Sequence, residues 1–419
     1  MIRSRSVFVL LLSLVLSAPL HADSTTTTPI RFPVIGDTGY IPAYESLDAD
    51  ERYDTFDAYA AAEAAAWLKK NGSLEGFILT PPVLESVHGS FMPASGLYPV
   101  ARAAQEICNT RGCDFGILLG DNIYPIGATG GADGISDARR FIDMLDRPYG
   151  RFGSQAPGFT LYAVMGNHDW YHSREGALAQ LEYLRAHPNF TMPDFFYRSV
   201  PERFAGEVEF FFIDTQMLLA STVVYKNKLD SAGREVRHQE RERFPDYMKP
   251  ATAAERDMVA WLESALTSST ARWKIVVGHH ALWSGGGSKF EKARSLRKLL
   301  MPALCRHADA YISGDDHVLE AYTDACGSLH TPLPLIVSGA GAKRRALNFR
   351  FMRHQLENHP ELRNLWSMGS VWGFAEVELA GDRMQVDFFS TPADSSGRAV
   401  LERSLQFQRR SGATAEHSP

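Results

Sequence analysis

The 419-residue sequence lacks an excess of positive charge, a second long apolar run and closely spaced cysteines. Its formal net charge of -6 argues against general nucleic-acid binding, because phosphate backbones attract basic proteins. Beyond the N-terminus no apolar run is long enough to cross a bilayer, so we expect no membrane span in the mature chain. None of the four cysteines has the C-x-x-C spacing common in zinc sites, which disfavours that use of their thiols.

The first 22 residues have the pattern of a secretory signal peptide. A basic start is followed by an apolar run over residues 7–16 and by small residues before a cleavage point after Ala22. We therefore expect the protein to be exported, either to the periplasm or to the medium. Because this segment contains two arginines and no acidic residue, its removal would make the net charge -8.

Export would place the cysteines in an oxidising environment. Disulfides form and persist there, outside the reducing cytosol. An even number of cysteines favours disulfides over free thiols. Of the three pairings that four cysteines allow, we expect the local one, in which each pair brackets a short segment. It joins Cys108 to Cys113 and Cys305 to Cys326.

Composition and pattern indicate an α/β protein. With 45% hydrophobic and 22% charged residues the chain can bury a large core. Runs rich in β-branched and aromatic residues, each stopping at a polar or glycine-bearing turn, occur at residues 29–37, 114–121, 159–167, 207–215, 272–280, 308–316 and 333–341. Helical patterns lie between several of them, at residues 96–108 and 253–269.

The end of the chain predicts a closing hairpin and a tail. Residues 371–381 and 383–391 are strand-like runs joined by a Gly-Asp turn. No repeat and no interdomain linker is evident, so we expect one catalytic domain over residues 23–407. The polar residues 408–419 are expected to form a disordered tail.

Polar side chains with metal-binding or acid-base chemistry follow five of the predicted strands. They are Asp37, Asp121 with Tyr124, Asn167 with His168, His279 with His280, and Asp315 with Asp316 and His317. Each one alone is more often a turn, cap or packed residue than a ligand. Because carboxyl ends of strands in α/β sheets line one crevice, the five groups together predict a single site.

Five motifs in this order resemble the calcineurin-like metallophosphoesterases. They are GDTG, GDNIY, GNHD, VVGHH and GDDH. The tyrosine of GDNIY, together with GHHALWS and LIVSGAG, is closer to the purple acid phosphatases of the tartrate-resistant type. The resemblance covers about residues 30–342. It implies a four-layer α/β/β/α sandwich of two mixed sheets flanked by helices, with two metal ions at its edge.

The resemblance also implies a role for each residue. Asp37, Asp121, Tyr124 and His317 would hold metal one, Asp121 would bridge, and Asn167 and His279 would hold metal two. A tyrosinate suits ferric iron, so Fe(III) with a divalent ion (Fe, Mn, Zn or Mg) is expected. The two cations would activate a bound water, and His168 would protonate the leaving group, with Asp169 orienting it. The alternative for His168 is a structural imidazole.

The sequence departs from the family pattern at Asp315, where Gly-His-x-His places a histidine that binds metal two. We favour Asp315 as a ligand of a harder second site that leans away from zinc. The competing interpretation is a lost or weak second site, with His280 as an outside candidate for a substitute ligand.

Three other segments differ from compact relatives. The insertion over residues 41–95 is expected at the rim of the active site, with a helix ended by a glycine after lysines. Some relatives have another histidine where this chain has Ser288. We expect the adjacent Lys289 to be solvated, the alternative being a contact with substrate phosphate. The basic stretch from Lys343 is likewise expected to be solvated, with phosphate recognition as the alternative.

The expected function is that of an exported dinuclear-metal hydrolase of phosphate monoesters, with a small phosphate ester as substrate. A phosphodiesterase or nucleotide hydrolase with the same metals is the enzyme alternative. A degenerate protein that binds metal or phosphate is the alternative from another class. The sequence leaves the oligomeric state open.

Overall fold

The computed structural model describes residues 28–45, 51–86, 89–153, 156, 158–327, 331–393 and 396–410. The predicted signal peptide and residues 411–419 of the predicted tail lie outside the described residues. Within the described ranges, no helix has the length and apolar character needed to span a membrane.

Strands account for both central layers. They are β1 (Ile30–Ile35), β2 (Pro82–Glu85), β3 (Ser90–Pro93), β4 (Gly116–Leu118), β5 (Leu161–Ala163), β6 (Phe190–Thr191), β7 (Tyr197–Ser199), β8 (Val208–Phe212), β9 (Trp273–Val277), β10 (Ala310–Ser313), β11 (Leu319–Asp324), β12 (Leu333–Ser338), β13 (Leu362–Met368), β14 (Trp372–Ala380), β15 (Arg383–Thr391) and β16 (Val400–Gln408). Two sheets of seven strands form, in the orders β16-β15-β14-β1-β4-β5-β6 and β13-β11-β12-β10-β9-β8-β7.

Both sheets are mixed, and their parallel parts contain the strands that precede the motifs. In the first sheet β1, β4, β5 and β6 are parallel neighbours. In the second sheet β8, β9, β10 and β12 are parallel neighbours. The carboxyl ends of β1, β4 and β5 therefore meet at one sheet edge, and those of β9 and β10 meet at another.

Helices separate many of the strands along the chain. They are α1 (Phe56–Asn71), α2 (Leu97–Arg111), α3 (Asp137–Phe141), α4 (Arg147–Tyr149), α5 (Asn167–Trp170), α6 (Arg174–Ala186), α7 (Thr215–Ala220), α8 (Ala253–Arg256), α9 (Met258–Ser268), α10 (Phe290–His307) and α11 (Phe349–Asn358), with a π-helical segment over Ile142–Asp146. Helix α2 packs on the first sheet and α9 on the second. The predicted four-layer α/β/β/α architecture is confirmed.

An aromatic core joins the two sheets. The ring of Phe32 in β1 stacks on Phe115 with centroids 4.8 Å apart, and it meets Phe210 of β8 edge-on at 5.3 Å. All five residues of β8 are buried, which is the pattern expected of a parallel strand covered on both faces. The predicted strands and the closing hairpin β14–β15 are present.

Some elements differ from the sequence prediction. The predicted helix over residues 253–269 is two helices, α8 and α9, which meet at Asp257. Seven of the strands were not predicted, namely β2, β3, β6, β7, β11, β13 and β16. Because β16 reaches Gln408 and the guanidinium of Arg410 donates to the carbonyl of Cys305 at 2.7 Å, the predicted domain boundary at residue 407 falls inside an ordered segment.

The predicted disulfides are confirmed, since Cys108 is bonded to Cys113 and Cys305 to Cys326. The first bond closes the end of α2. The second ties α10 to the turn after β11.

The insertion over residues 41–95 contains α1 and the β2–β3 hairpin. Helix α1 begins after Thr55, whose side chain accepts from the Ala58 amide, and ends at Gly72 in a left-handed conformation (φ 80°). The predicted helix is therefore confirmed. It is bonded to the segment before α11, since Asn71 Nδ2 donates to the Leu347 carbonyl at 3.0 Å.

Candidate active site

Five strand ends bring their polar side chains into one buried cluster. Ligand atoms of Asp37, Asp121 and His279 all lie within 4.8 Å of one another. His279 Nε2 is 3.4 Å from Asp121 Oδ1 and 3.8 Å from Asp315 Oδ1. The cluster thus draws on both sheets, because Asp37 and Asp121 follow β1 and β4 while His279 and Asp315 follow β9 and β10.

The phenol of Tyr124 lies inside this cluster. Its oxygen is 2.8 Å from Asp121 Oδ2, 3.1 Å from Asp37 Oδ1 and 3.1 Å from His317 Nε2. His317 Nε2 is also 3.3 Å from Asp37 Oδ1. The Tyr124 hydroxyl therefore contacts the other three residues predicted to hold metal one.

The three aspartates of the cluster share an unusual backbone conformation. Asp37, Asp121 and Asp315 have φ angles of 58°, 52° and 70°, in the left-handed region that few residues other than glycine adopt. The backbone at Gly166, the glycine of the GNHD motif, passes close to Asp121. A Cβ atom at this position would lie 2.2 Å from Asp121 Oδ1, so only glycine fits there. Such strained positions persist where the surrounding structure holds them, and they are common at functional sites.

Burial and like charge make this cluster unfavourable without positive charge. Burial raises the pKa of Asp37 well above its ordinary value; His279 opposes this shift and the nearby carboxylates add to it. Burial also acts to raise the pKa of Asp121, but His279 and His168 outweigh it and keep that carboxylate ionised. Three buried carboxylates in one cluster are stabilised by cations.

A carboxylate oxygen on the second-metal side has no donor to satisfy it. Asp315 Oδ2 is buried and has no hydrogen-bond partner in the described part of the chain. The side-chain amide of Asn167 lies 3.3 Å from Asp315 Oδ1, and His279 Nε2 lies 3.8 Å from the same oxygen. An unpartnered carboxylate oxygen beside an amide and an imidazole is a donor set that suits a divalent cation, so these residues fit a second metal.

The family model described as Calcineurin-like phosphoesterase matches residues 30–319. The chain belongs to the calcineurin-like phosphoesterases. Membership implies a site for two metal ions, and the purple acid phosphatase branch is confirmed by similarity. The chain is 31% identical over 252 residues to Purple acid phosphatase 3 of Arabidopsis thaliana, covering 58% of each chain. It is 26% identical over 314 residues to Tartrate-resistant acid phosphatase type 5 of Mus musculus, covering 73% of this chain and 81% of that protein.

A solved structure shares the fold at low identity. It is titled "GAP50 the anchor in the inner membrane complex of Plasmodium", with a TM-score of 0.55, 17% identity and coverage of 93% of this chain and 91% of that chain. This likeness extends over nearly the whole chain and concerns the fold alone.

Asp315, the position where the sequence resemblance implied a histidine, is paired with a lysine in the structure. Lys289 Nζ lies 2.9 Å from Asp315 Oδ1. The expectation that Lys289 is solvated is therefore wrong. Burial acts to raise the pKa of Asp315, but Lys289, His280 and His279 outweigh it and lower the pKa, so the carboxylate is ionised.

The Nδ1 atom of His280 contacts a threonine outside the main cluster. Its Nδ1 is 2.8 Å from Thr215 Oγ1, and its buried Nε2 has no partner among the described residues. Asp316 pairs with Arg345 and accepts from the Gly286 amide at 3.2 Å, which directs its carboxylate to other partners.

His168 lies beside the cluster and opens onto a cavity. Its Nδ1 is 2.5 Å from the Pro125 carbonyl, and its Nε2 is 3.9 Å from Asp121 Oδ2. The ring packs on Tyr124 with centroids 4.1 Å apart. The Pro125 carbonyl, which no sequence pattern pointed to, therefore orients the imidazole.

Asp169 has a different role from the one expected. Its carboxylate accepts from the backbone amides of Gly166 at 2.8 Å and Ile123 at 3.0 Å, and from Gln180 Nε2 at 3.1 Å. The prediction that Asp169 orients His168 is wrong. Asp169 instead ties the loop that carries Asp121 to the loop that carries His168.

A cavity of about 310 Å³ adjoins the cluster. His168 and His317 line it together with residues of the insertion and the half-buried basic stretch that starts at Lys343. The expectation of a solvated basic stretch is therefore wrong. A larger cavity of about 770 Å³ lies between α2 and α4 and contains none of the predicted site residues.

Proposed function

We propose that this chain is an exported, dinuclear-metal hydrolase of phosphate monoesters. The observation that carries the proposal is the buried cluster of three aspartates, a phenol and two imidazoles, in which Asp315 Oδ2 has no partner among the described residues. Similarity to purple acid phosphatases supports the reaction class. Two disulfides support export to an oxidising compartment.

Metal one would be held by Asp37, Asp121, Tyr124 and His317, and metal two by Asn167, His279 and Asp315. Asp121 is suited to bridging, because its Oδ2 faces Tyr124 at 2.8 Å and its Oδ1 faces His279 at 3.4 Å. A phenolate donor favours Fe(III) at the first position. The carboxylate of Asp315 makes the second position harder, favouring Fe, Mn or Mg over Zn.

When bound, the two cations stabilise charge on the phosphate and lower the pKa of a coordinated water. The protein's own contribution is to hold the substrate and supply a proton. With Nδ1–H donated to the Pro125 carbonyl, His168 has a proton on Nε2 only in its imidazolium form; in that form it can give this proton to the oxygen of the leaving group, and the ring faces the cavity where that group would lie.

His168→Ala should lower kcat far more for poor leaving groups than for activated ones. We expect a loss of about 100-fold or more on an alkyl phosphate and a much smaller loss on a nitrophenyl phosphate, because a stable phenolate needs little protonation. Steady-state kinetics on both esters measures this difference. An equal loss on both esters would assign His168 a structural role.

Metal analysis combined with turnover of an aryl phosphate tests the function as a whole. Two metal ions per chain with turnover of the monoester supports the proposal. Faster turnover of the matching diester would instead indicate a phosphodiesterase. One metal ion without turnover of either ester would indicate a degenerate binding protein.

A further inference from the structure

The cavity beside His168 has one wall that the insertion alone provides. Helix α1 and the loop after it contribute Trp67, Lys70 and Phe77, and the facing wall is residues 343–346. His168 and His317 lie at its inner end. A phosphate ester positioned at the cluster would therefore direct its leaving group into this cavity.

Hydrogen bonds hold the two walls together. Lys70 Nζ donates to the Ala346 carbonyl at 3.3 Å, and Asn71 Nδ2 donates to the Leu347 carbonyl at 3.0 Å. The Phe349 amide in turn donates to Asn71 Oδ1 at 3.0 Å. These contacts span more than 270 positions of sequence, so the insertion is an integral wall of the cavity.

The charges around the cavity are unbalanced. Four cationic and two acidic side chains line it, namely Lys70, Lys343, Arg344, Arg345, Glu51 and Glu63. Lys343 pairs with Glu51 at 3.5 Å, and Arg345 pairs with Asp316 behind the wall. Lys70 and Arg344 instead donate to backbone carbonyls, those of Ala346 and Ser370.

Lys70 and Arg344 are the two cations with which a bound anion would form ion pairs. Arg344 Nε is buried and has no partner among the described residues. Burial lowers the pKa of Lys70 to about 8, and Arg345 adds to that shift. Glu63 attracts both cations across the cavity but forms an ion pair with neither among the described residues, so an anionic ligand group here would be stabilised by both side chains.

Apart from the six charged residues, the two histidines, Thr80 and Ser370, the lining is apolar, and the walls limit the size of the ligand. Trp67 and Phe77 meet edge to face with centroids 5.9 Å apart, and Ala66 and Ile78 lie beside them. A volume of about 310 Å³ is at the lower end for ligand pockets. The pocket therefore suits a compact apolar body.

We propose that this cavity is a leaving-group pocket that selects phosphate monoesters whose leaving group has a compact apolar body and a second anionic group. Lys70 and Arg344 are its specificity-determining residues. This proposal rests on the proposed function, and the insertion of residues 41–95 provides one of the two walls that select the leaving group.

Two nearly isosteric aryl esters test the proposal, 4-carboxyphenyl phosphate and 4-carbamoylphenyl phosphate, which differ in the charge of the distal group. We expect the wild-type protein to favour the carboxylate in kcat/KM by about tenfold, the effect of one charge-assisted hydrogen bond. Equal kcat/KM values on the two esters would overturn the pocket assignment while leaving the proposed function intact. No turnover of either ester would contradict the proposed function itself.

Variants of the two cations sharpen the test. Lys70→Met and Arg344→Gln should each bring the ratio of the two kcat/KM values towards one, mainly through KM for the carboxylate ester. Lys70→Arg should keep the preference because it keeps the charge. Lys69→Met is the matched control, since Lys69 is the exposed neighbour on the same helix. A preference that survives both Lys70→Met and Arg344→Gln would overturn the proposal.

Discussion

Asp121→Asn should lose turnover and bound metal together. Asp121 lies between the two predicted sets of ligands, with Oδ2 at 2.8 Å from the Tyr124 hydroxyl and Oδ1 at 3.4 Å from His279 Nε2. An amide keeps the shape but has one oxygen and no charge, so it cannot serve two cations. We expect kcat to fall by more than about 100-fold. Loss of a residue that only hydrogen-bonds to a metal ligand has a smaller effect.

Elemental analysis of the purified variant, beside aryl phosphatase kinetics, measures both losses. Asp324→Asn is a matched control, because Asp324 is also buried and accepts from Trp283 Nε1 at 3.1 Å outside the cluster. It should retain metal and turnover. Full activity in Asp121→Asn would contradict the dinuclear assignment, and metal loss in Asp324→Asn would trace the effect to general destabilisation.

Asp315→Ala should remove the second metal and leave the first. Metal one would keep Asp37, Asp121, Tyr124 and His317, while metal two would lose its only carboxylate besides the bridging one. Turnover should collapse, because clamping the phosphate needs both cations. Asp315→His should restore the Gly-His-x-His pattern, retain two metals and shift preference towards zinc, since imidazole is a softer donor than carboxylate.

Tyr124 offers an independent readout of the first metal. A ferric phenolate should give a visible charge-transfer band that persists in Asp315→Ala and disappears in Tyr124→Phe. If Asp315→Ala keeps both metals and wild-type turnover, Asp315 is a turn residue and the assignment of the second site is wrong.

Lys289 distinguishes the two interpretations of the second site. Its ammonium lies 2.9 Å from Asp315 Oδ1, where it competes with a cation for the same oxygen. If Asp315 is a working ligand, Lys289→Met should leave two metals bound and tighten the second. If the wild-type protein binds one metal and Lys289→Met binds two, the lysine occupies the place of the second cation.

The motifs alone were sufficient to predict the fold and the members of the cluster. The reason is local, since each motif places its polar residues directly after a strand, as Asp37 follows β1 and His279 follows β9. Parallel strands bring their carboxyl ends to one sheet edge whatever lies between them in the sequence.

A polar strand at the edge of a sheet could not be predicted from motifs. Strand β16 is mostly exposed and has no continuous apolar face. The strand is defined by its hydrogen bonds to β15. This pairing exists only once the sheet has assembled, so the local sequence does not reveal it.

The partners of charged side chains were decided by the tertiary structure. The sequence by itself placed an aspartate, Asp315, where the resemblance implied a histidine, but the approach of Lys289 depends on how the segment before α10 lies against the loop after β10. The same holds for Asp169, whose hydrogen-bond donors come from two loops and from α6, and for Lys70, which meets residue 346 only after the insertion folds over the site. Secondary structure follows from local pattern, whereas the direction of a long or buried polar side chain follows from contacts made across hundreds of residues.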